Sequence, residues 1–466
     1  MAAERDSLAA TEGVFDLLGL APEIVQHIIK QAPKEDLKNI RLANKELDKN
    51  AVRELFSDVF LSPDEEQINT WASIGQHDTI RRFPRHAVIH TQPDIETLGE
   101  GDYREIIEPA EEFEDAVAAL ARFPNVDSLE IGFTAECIGV RDDLSWWEDG
   151  VEEVDARKDM LRLIFQAVKD RAADKDNRTI RKLTIVNLQN CPIPDFTRSD
   201  LFRDVMGQLE ELHLQITQEY NRAGPDHDYT RVELQTFPGH LISDWLEPVS
   251  GNLKALSIGS AGENWGPFPG HFRPSGLSFP KLKTLALVYH TLAHDDDLNW
   301  ITGIKSLETL LLTNCMIASR IRIDTENVDE WKVCTDDWQA LTEEQCRSPW
   351  PHFAYHGKWS DVFRRISSEL PNLVHFRFHG GSQYRPWDED NEGGRLGVRV
   401  LPQRYVVFDN GILPTHWTEA EEDGGIHHWT KEPFPNFHKQ RLEEDQKSLD
   451  ELLRECRRRA TEKSSG

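Results

Sequence analysis

A short leucine phrase recurs through the middle of the chain and limits its possible folds more than any other feature. The phrase reads Leu-x-x-Leu-x-Leu, with Ile or Phe at some positions, and its second apolar residue falls at positions 129, 183, 212, 256, 285, 310 and 376. Alternating apolar residues place every second side chain on one face of a β-strand. Pairs such as Leu183/Ile185, Leu212/Leu214 and Leu285/Leu287 are therefore expected to face inward.

Helical patterns lie between these strands. Amphipathic segments are predicted at Asp159–Ala173, Leu241–Leu246 and Trp359–Leu370. Alternation of strand and helix predicts an α/β fold with a parallel sheet. Because no single unit can bury its apolar face alone, stacked units must share one core, with strands on a concave face and helices outside. A doubly wound parallel sheet is the alternative, although that fold does not require so repetitive a strand phrase.

The pattern extends upstream of residue 123. Alternation of Phe56 and Phe60 predicts a first strand that Ser62-Pro63 ends, and Arg85–His90 reads as a second strand. A polar helix at about Asp64–Gly75 and an acidic helix at Glu111–Arg122 alternate with them.

Residues 20–56 read as three short helices. Pro22 suits the first position of a helix, and Glu23 places a negative charge at the positive end of its dipole. Pro33 ends this helix, because the residue before a proline disfavours the α region. So small a unit does not need all of its aliphatic residues for its own core, and the surplus predicts a partner.

Two resemblances follow from these segments. The residues Leu20-Ala21-Pro22-Glu23-Ile24, Ile28-Ile29, Asp36-Leu37 and Arg41–Leu47 resemble the F-box, with departures at Ala21, Ala32 and Asn44. The leucine phrase over about residues 123–378 resembles the leucine-rich repeat. Together they resemble a fungal-type F-box protein with an irregular leucine-rich-repeat solenoid. The resemblance implies a non-catalytic substrate receptor that docks onto the Skp-type adaptor of an SCF-type cullin–RING ubiquitin ligase.

The resemblance also implies two sets of binding residues. The residues expected to bind the adaptor are Leu20, Pro22, Ile24, Ile28, Ile29, Leu37 and Leu42. The residues expected to bind a protein client are the outward-facing ones of the strands, namely Thr184, Val186, His213, Gln215, Ser257, Val288, Leu311, Thr313, Arg377 and His379. An interaction scaffold whose N-terminal helices merely cap the solenoid is the alternative function.

The rest of the chain divides by composition. We predict a disordered tail at residues 1–13, the F-box at 14–56, the solenoid at 57–378, an acidic insertion and cap at 379–435, and a C-terminal helix and tail at 436–466. Tyr405–Phe408 is expected to close the open end of the solenoid. Long insertions are predicted at Ala261–Leu277, Asn314–His356 and His379–Gly397. Their aromatic residues, among them Trp265 and Trp331, could anchor a partner or pin the loops to the solenoid.

Composition excludes several function classes. A formal charge of −29 disfavours binding to nucleic acid, which requires clustered cations. No apolar run approaches the roughly 20 residues of a membrane span, and the first residues do not resemble a secretory signal. Six scattered cysteines without a C-x-x-C pair suit the reducing cytoplasm or nucleus. We expect no cofactor, no metal and no catalytic residue, and interpret His290 and His294 as ordinary solvated residues rather than metal ligands.

Overall fold

A computed structural model describes most of the chain. The described residues are 17–93, 108–135, 137–138, 152–217, 231–260, 265–342, 352–379, 404–410, 417–419 and 441–465. The predicted tail at residues 1–13 and most of the predicted segment 379–435 lie outside them.

The fold is α/β. Its strands, in chain order, are β1 (Asp58–Leu61), β2 (His86–His90), β3 (Ser128–Gly132), β4 (Cys137–Ile138), β5 (Glu152–Glu153), β6 (Lys182–Gln189), β7 (Glu211–Thr217), β8 (Ala255–Ser260), β9 (Thr284–Val288), β10 (Thr291–Leu292), β11 (Thr309–Thr313), β12 (Met316–Arg322), β13 (Gln339–Leu341), β14 (His352–Ala354), β15 (His375–His379), β16 (Tyr405–Asp409) and β17 (Trp417–Glu419).

The α-helices are α1 (Pro22–Lys30), α2 (Lys34–Ala43), α3 (Lys45–Leu55), α4 (Glu65–Gln76), α5 (Glu111–Ala118), α6 (Val154–Ala172), α7 (Pro194–Thr197), α8 (Asp200–Met206), α9 (Val232–His240), α10 (Asn299–Thr302), α11 (Thr325–Glu330), α12 (Trp359–Glu369) and α13 (Leu442–Ser465). Shorter 3-10 segments occur at Leu17–Gly19, Ile80–Arg82 and Ala119–Arg122. Leu241–Leu246, predicted to be an amphipathic helix, is a π-helical continuation of α9.

The main sheet has nine strands in the order β1-β2-β3-β6-β7-β8-β9-β11-β15. Every neighbouring pair is parallel. This confirms the predicted large parallel sheet. A doubly wound sheet contains a point where the strand order reverses, whereas the order here follows the chain from one edge to the other. The sheet is open, with β1 and β15 as its edges.

One hydrophobic core joins the strands to the helices between them. Strand residues such as Leu183 and Ile185 pack in the same cluster as Phe165 of α6 and Phe202 of α8. The leucine phrase therefore predicted the inward-facing residues correctly. The first strand is an exception, because Val59 and Leu61 are the buried residues of β1 and Phe60 lies on the other face. The predicted alternation through Phe56 and Phe60 was wrong by one residue, a shift that exchanges the two faces of a strand.

Near the carboxyl end of three strands one residue is left-handed, at a bulge within β6 and at the corners that follow β9 and β11. Asn187, Tyr289 and Asn314 have φ values of 60°, 54° and 48°, and each lies two residues after the last inward-facing residue of the phrase. Asparagine tolerates this conformation better than most residues. Beyond the corners at Tyr289 and Asn314 the chain enters a second sheet, in which β10 and β16 each pair in parallel with β12.

This second sheet corrects two predictions. Asn314–His356 is not a loop, since it contains β12, β13, β14 and α11, and β13, β14 and β12 are paired antiparallel. Tyr405–Asp409 is a strand, but it pairs with β12 and β17 and does not extend the main sheet at β15.

The C-terminal helix α13 covers the last unit instead. Leu449, Leu452 and Cys456 are buried against α12 and β15. Asp445 is fully buried and accepts hydrogen bonds from the Ser360 backbone at 2.7 Å and the Tyr405 hydroxyl at 2.5 Å. The helix begins at Leu442 in the structure, and residues 436–440 of the prediction lie outside the described part.

Candidate functional site

The N-terminal helices form a compact unit for local reasons. Pro22 occupies the first turn of α1, and α2 begins directly after Pro33. The Asn44 side chain caps α3 by accepting a hydrogen bond from the backbone of Glu46 at 2.7 Å. This asparagine, a departure from the F-box pattern, therefore has a structural role here.

The unit has its own core, separate from that of the sheet. The core consists of Val25, Ile29, Leu37, Leu47 and Ala51. Ile29 and Leu37 were predicted to bind the adaptor, but both are buried in this core and cannot contact a partner while the unit is folded. Their spacing indicated an apolar face correctly, but that face packs inside the helical unit and is not available to the adaptor.

Other aliphatic residues of the unit remain exposed. Leu42 is 87% exposed, Ile24 50% and Ile28 41%. Leu18, which the sequence did not single out, is 45% exposed. Of the five large hydrophobic residues exposed in the described part of the chain, only Val232 lies outside this unit. Pro22 is exposed and Leu20 is partly buried. Five of the seven predicted adaptor-binding residues are thus at least partly accessible.

A small polar contact joins the helical unit to the sheet. Lys34 of α2 lies 3.2 Å from Asp58 at the start of β1, and His86 of β2 lies 3.4 Å from the same carboxylate. Burial opposes ionisation of Asp58, but its hydrogen bonds with His86 and Ser57 and the charge of Lys34 together lower its pKa well below the usual range. Asp58 is therefore ionised throughout the physiological range.

The outward-facing residues lie in register across the sheet. Thr184, His213 and Ser257 are direct neighbours on β6, β7 and β8. However, seven of the ten predicted client-binding residues are buried, namely Thr184, Val186, His213, Ser257, Val288, Leu311 and Thr313. Val186, Val288 and Leu311 lie outside the main hydrophobic core, so the central strands are buried on both faces. Their expected accessibility was therefore wrong.

Exposure returns at the last strand. Arg377 is exposed on β15, and His379 and Gln215 are half-buried. His375, two residues before Arg377, is also exposed. Two of the three accessible residues of the predicted client surface thus lie on the last strand, and Gln215 lies on β7 in the middle of the sheet.

Close approach of two strands explains one small residue on this face. A Cβ atom at Gly259 would lie 2.4 Å from the Cβ of Val288. Only glycine fits opposite Val288, so this position of the sheet cannot carry a recognition side chain.

Aromatic residues of the predicted insertions pack inward. Trp265 and Phe272 are buried in the main core, and Phe268 stacks on Trp331 with ring centroids 6.1 Å apart. The Trp338 indole donates a hydrogen bond to the carbonyl of Ala293 at 2.7 Å. These residues pin their segments to the protein, as the second interpretation predicts. Trp350 lies outside the described residues.

A buried polar cluster lies at the carboxyl ends of β2, β3 and β6. The Glu152 carboxylate is 3.2 Å from Arg157 and accepts hydrogen bonds from Thr134 and Thr91. Arg157 also donates to the carbonyl of Asn187 at 3.0 Å. These bonds tie the end of β3 to the bulge of β6 at Asn187, so the cluster stabilises the carboxyl ends of these interior strands.

Two histidines differ from their prediction. His290 and His294 are buried rather than solvated. His294 stacks on Trp338 and lies 2.6 Å from Asp337. Within the described ranges, no group of three or more His, Cys, Asp or Glu residues is arranged to hold a metal ion.

Burial raises the pKa of Cys315 to about 12 and that of Cys456 to about 11, so both thiols are protonated at neutral pH.

No protein-family model matches the sequence, and no curated protein is significantly similar to it.

Among the described helices, none has the length and apolar character that a membrane span needs.

Proposed function

We propose that this protein is a non-catalytic substrate receptor of an SCF-type ubiquitin ligase. In this proposal the helical unit binds a Skp-type adaptor, and the sheet carries a protein client in the cytoplasm or nucleus. The observation that carries the proposal is the exposure of Ile24, Ile28 and Leu42 on a unit with a core of its own. Apolar side chains exposed on so small a unit mark a protein-binding surface.

We further propose that the main sheet is a leucine-rich-repeat solenoid. Strands that follow one another in chain order, with a shared core between each strand and the next helix, support this interpretation. The left-handed corners at Tyr289 and Asn314 support it further, since both directly follow a strand of the main sheet and equivalent turns are expected of equivalent repeats.

The client surface is best sought at the β15 end of the sheet. Arg377 is exposed there, while Leu311 and Ala286, the residues in register with it on the two preceding strands, are buried. We therefore retain Arg377 and His379 of β15 as client-binding residues, keep Gln215 of β7 because it is half-buried, and regard the seven buried residues as supports of the surface.

Adaptor binding can be tested without disturbing the fold. We expect Ile24→Asp and Leu42→Asp each to weaken binding to a purified Skp-type adaptor about tenfold or more, because each places a charge where an aliphatic side chain is buried on association. Val232→Asp is the matched control, since Val232 is 73% exposed and lies outside the helical unit. Binding would be measured by calorimetry, with circular dichroism to confirm folding.

The scaffold alternative makes a different prediction. If the helices only cap the solenoid, the wild-type chain does not bind the adaptor, and substitutions in the unit change stability alone. The separate cores of the unit and the sheet favour the receptor, because a cap is expected to share the core that it covers. Failure of the wild-type chain to bind, or unchanged binding by both aspartate variants, would contradict the receptor proposal.

A further inference from the structure

Three basic side chains lie in a row on the outward face of β15. Burial alternates along this strand, and its inward residues Phe376 and Phe378 belong to the main core. His375, Arg377 and His379 alternate with them and therefore share the opposite face. His375 and Arg377 are exposed, and His379 is half-buried. Residues on one face of a strand are about 6.6 Å apart, so the row is about 13 Å long.

The charge of this row is not neutralised by its described surroundings. Neither Arg377 nor His375 forms an ion pair with a carboxylate in the part of the chain that the structure describes. Burial, followed by the positive charge of Arg377, lowers the pKa of His375. Burial, Arg404 and Arg377 together lower the pKa of His379 to about 4. In a chain with 82 acidic and 53 basic residues, a strand face whose nearest described charges are all positive is a local exception.

The neighbouring strands are neutral where they continue this row. The residues in register with it are Thr309, Leu311 and Thr313 on β11, and Thr284, Ala286 and Val288 on β9. An anionic partner at β15 therefore meets no carboxylate from these positions. Further along the same face the arrangement differs, since Lys182 of β6 lies 3.8 Å from Glu211 of β7.

We propose that β15 binds an extended acidic segment of a partner protein, with carboxylates at alternate positions of the segment against His375, Arg377 and His379. An extended segment directs every second side chain to one side, at the spacing of the row. The Arg377 guanidinium supplies the charge and donates two parallel hydrogen bonds to a carboxylate, and an imidazole on either side donates one more. The inference rests on the proposed receptor function only in identifying the partner as a client.

The net charge of −29 is compatible with this site at physiological ionic strength. Exposed charges that are further apart than the Debye length, about 8 Å in 0.15 M salt, are largely screened from one another. An acidic segment on β15 therefore responds mainly to the charges of the row and of its immediate neighbours.

Two peptides of equal composition and charge test the alignment with β15. One carries the sequence Glu-Ser-Glu-Ser-Glu and the other Ser-Glu-Glu-Glu-Ser, between the same flanking residues. Their affinity for the full chain would be measured by fluorescence anisotropy in about 0.15 M sodium chloride. We expect the alternating peptide to bind about threefold or more tightly than the other, because only its carboxylates match the spacing of the row. Equal affinities, or no binding by either peptide, would overturn the proposal.

Substitutions in the row identify the residues that bind. We expect Arg377→Gln to weaken binding of the alternating peptide about tenfold, because it removes the charge, and His375→Ala to weaken it about threefold. Both residues are exposed, so both variants should keep the wild-type midpoint of thermal unfolding. Unchanged affinity of Arg377→Gln would contradict the proposed site.

Lys182→Gln is the matched control. It removes one positive charge from the same face of the sheet, but from a side chain that has Glu211 beside it. We expect this variant to bind the alternating peptide within about twofold of the wild type. A loss as large as that of Arg377→Gln would mean that the peptide responds to the overall charge of the chain, and would overturn the proposal.

Adaptor binding by Arg377→Gln separates this inference from the receptor proposal. The helical unit adjoins β1 at the other edge of the sheet, so this variant should bind the adaptor as the wild type does. Adaptor binding by a wild-type chain that binds neither peptide would overturn the acidic-segment site alone. Selective binding of the alternating peptide by a chain that does not bind the adaptor would support the site and overturn the receptor proposal.

Discussion

Arg171 shows how a buried charge can be satisfied by neutral groups. Its guanidinium donates to the carbonyls of Phe123, Pro124 and Val126, in the turn before β3, and to that of Arg178, in the segment before β6. Burial lowers its pKa to about 10, and it still carries its charge at neutral pH. In the sequence Arg171 resembles an ordinary basic residue at the end of a helix. Its role could not be predicted, because three of its four partners lie 45 to 48 residues away in the sequence.

His290 makes stability depend on pH. It is buried, neither ring nitrogen has a hydrogen-bond partner among the residues that the structure describes, and burial lowers its pKa to about 4. An unfolded histidine titrates near 6.5, so between pH 7 and pH 5 the unfolded chain takes up a proton that the folded chain does not. Because stability falls where the unfolded state binds more protons, His290 should contribute a loss of about 2 kcal/mol over this range.

Urea unfolding at pH 7 and pH 5 measures this effect. We expect His290→Leu to reduce the difference in the free energy of unfolding between the two pH values by about that amount. His27→Gln, which removes an exposed imidazole, is the control. An unchanged pH difference in His290→Leu would show that His290 is not a source of the acid sensitivity.

At the scale of elements, the positions of the helices and strands were largely predictable, but the surfaces against which their side chains pack were not. Pro22, Pro33 and the apolar spacing indicated three helices in the N-terminal unit, and the structure has three α-helices there. The same spacing could not show that Ile29 faces inward while Ile28 faces solvent, because the two lie on adjacent sides of one apolar stripe. Only packing against α2 and α3 separates them.

The prediction that Asn314–His356 is a long loop was wrong for a different reason. Its strands β13 and β14 have three residues each, which is too short for an alternation to be recognised. Burial of Thr184 and Ser257 was equally unpredictable, since a strand pattern shows which residues share a face and not what covers that face.

The helical unit should unfold on its own. Its five-residue core is separate from that of the sheet, so Ile29→Ala is expected to destabilise the unit by about 2–5 kcal/mol and to leave the sheet unaffected. Native-state hydrogen exchange measures this, as faster exchange in α1, α2 and α3 with unchanged exchange in β6 to β9. Leu285→Ala, in the core of the sheet, should show the reverse. Loss of protection in both parts from Ile29→Ala would mean that the two cores unfold together.

At the scale of the whole molecule, the two ends of the sheet are finished differently. The β1 end carries the helical unit through a polar contact, and the β15 end is covered by α13 through buried apolar residues. A terminal unit that lacks such a cover leaves its core exposed to water.

Removal of α13 should therefore unfold the last part of the sheet. We expect deletion of residues 441–466 to expose the packing surface of Phe363 and Leu370, lower the midpoint of thermal unfolding and increase binding of a hydrophobic dye. Deletion of residues 461–466 is the control, since 461–465 are exposed, and it should change stability by about 0.5 kcal/mol or less. Normal stability after the longer deletion would show that α13 is not a structural cap.

The junction between the helical unit and the sheet also sets a distance. Only Phe56 and Ser57 separate α3 from β1, and two residues span at most about 7 Å. The ion pair between Lys34 and Asp58 restricts movement further. In the proposed receptor the sheet is thus held close to the helical unit by a short, restricted junction, and not by a flexible linker. The sheet would then hold the client at a fixed distance from the adaptor. The position of a lysine on the client would therefore decide whether that lysine receives ubiquitin, and the number of lysines on the client would matter less.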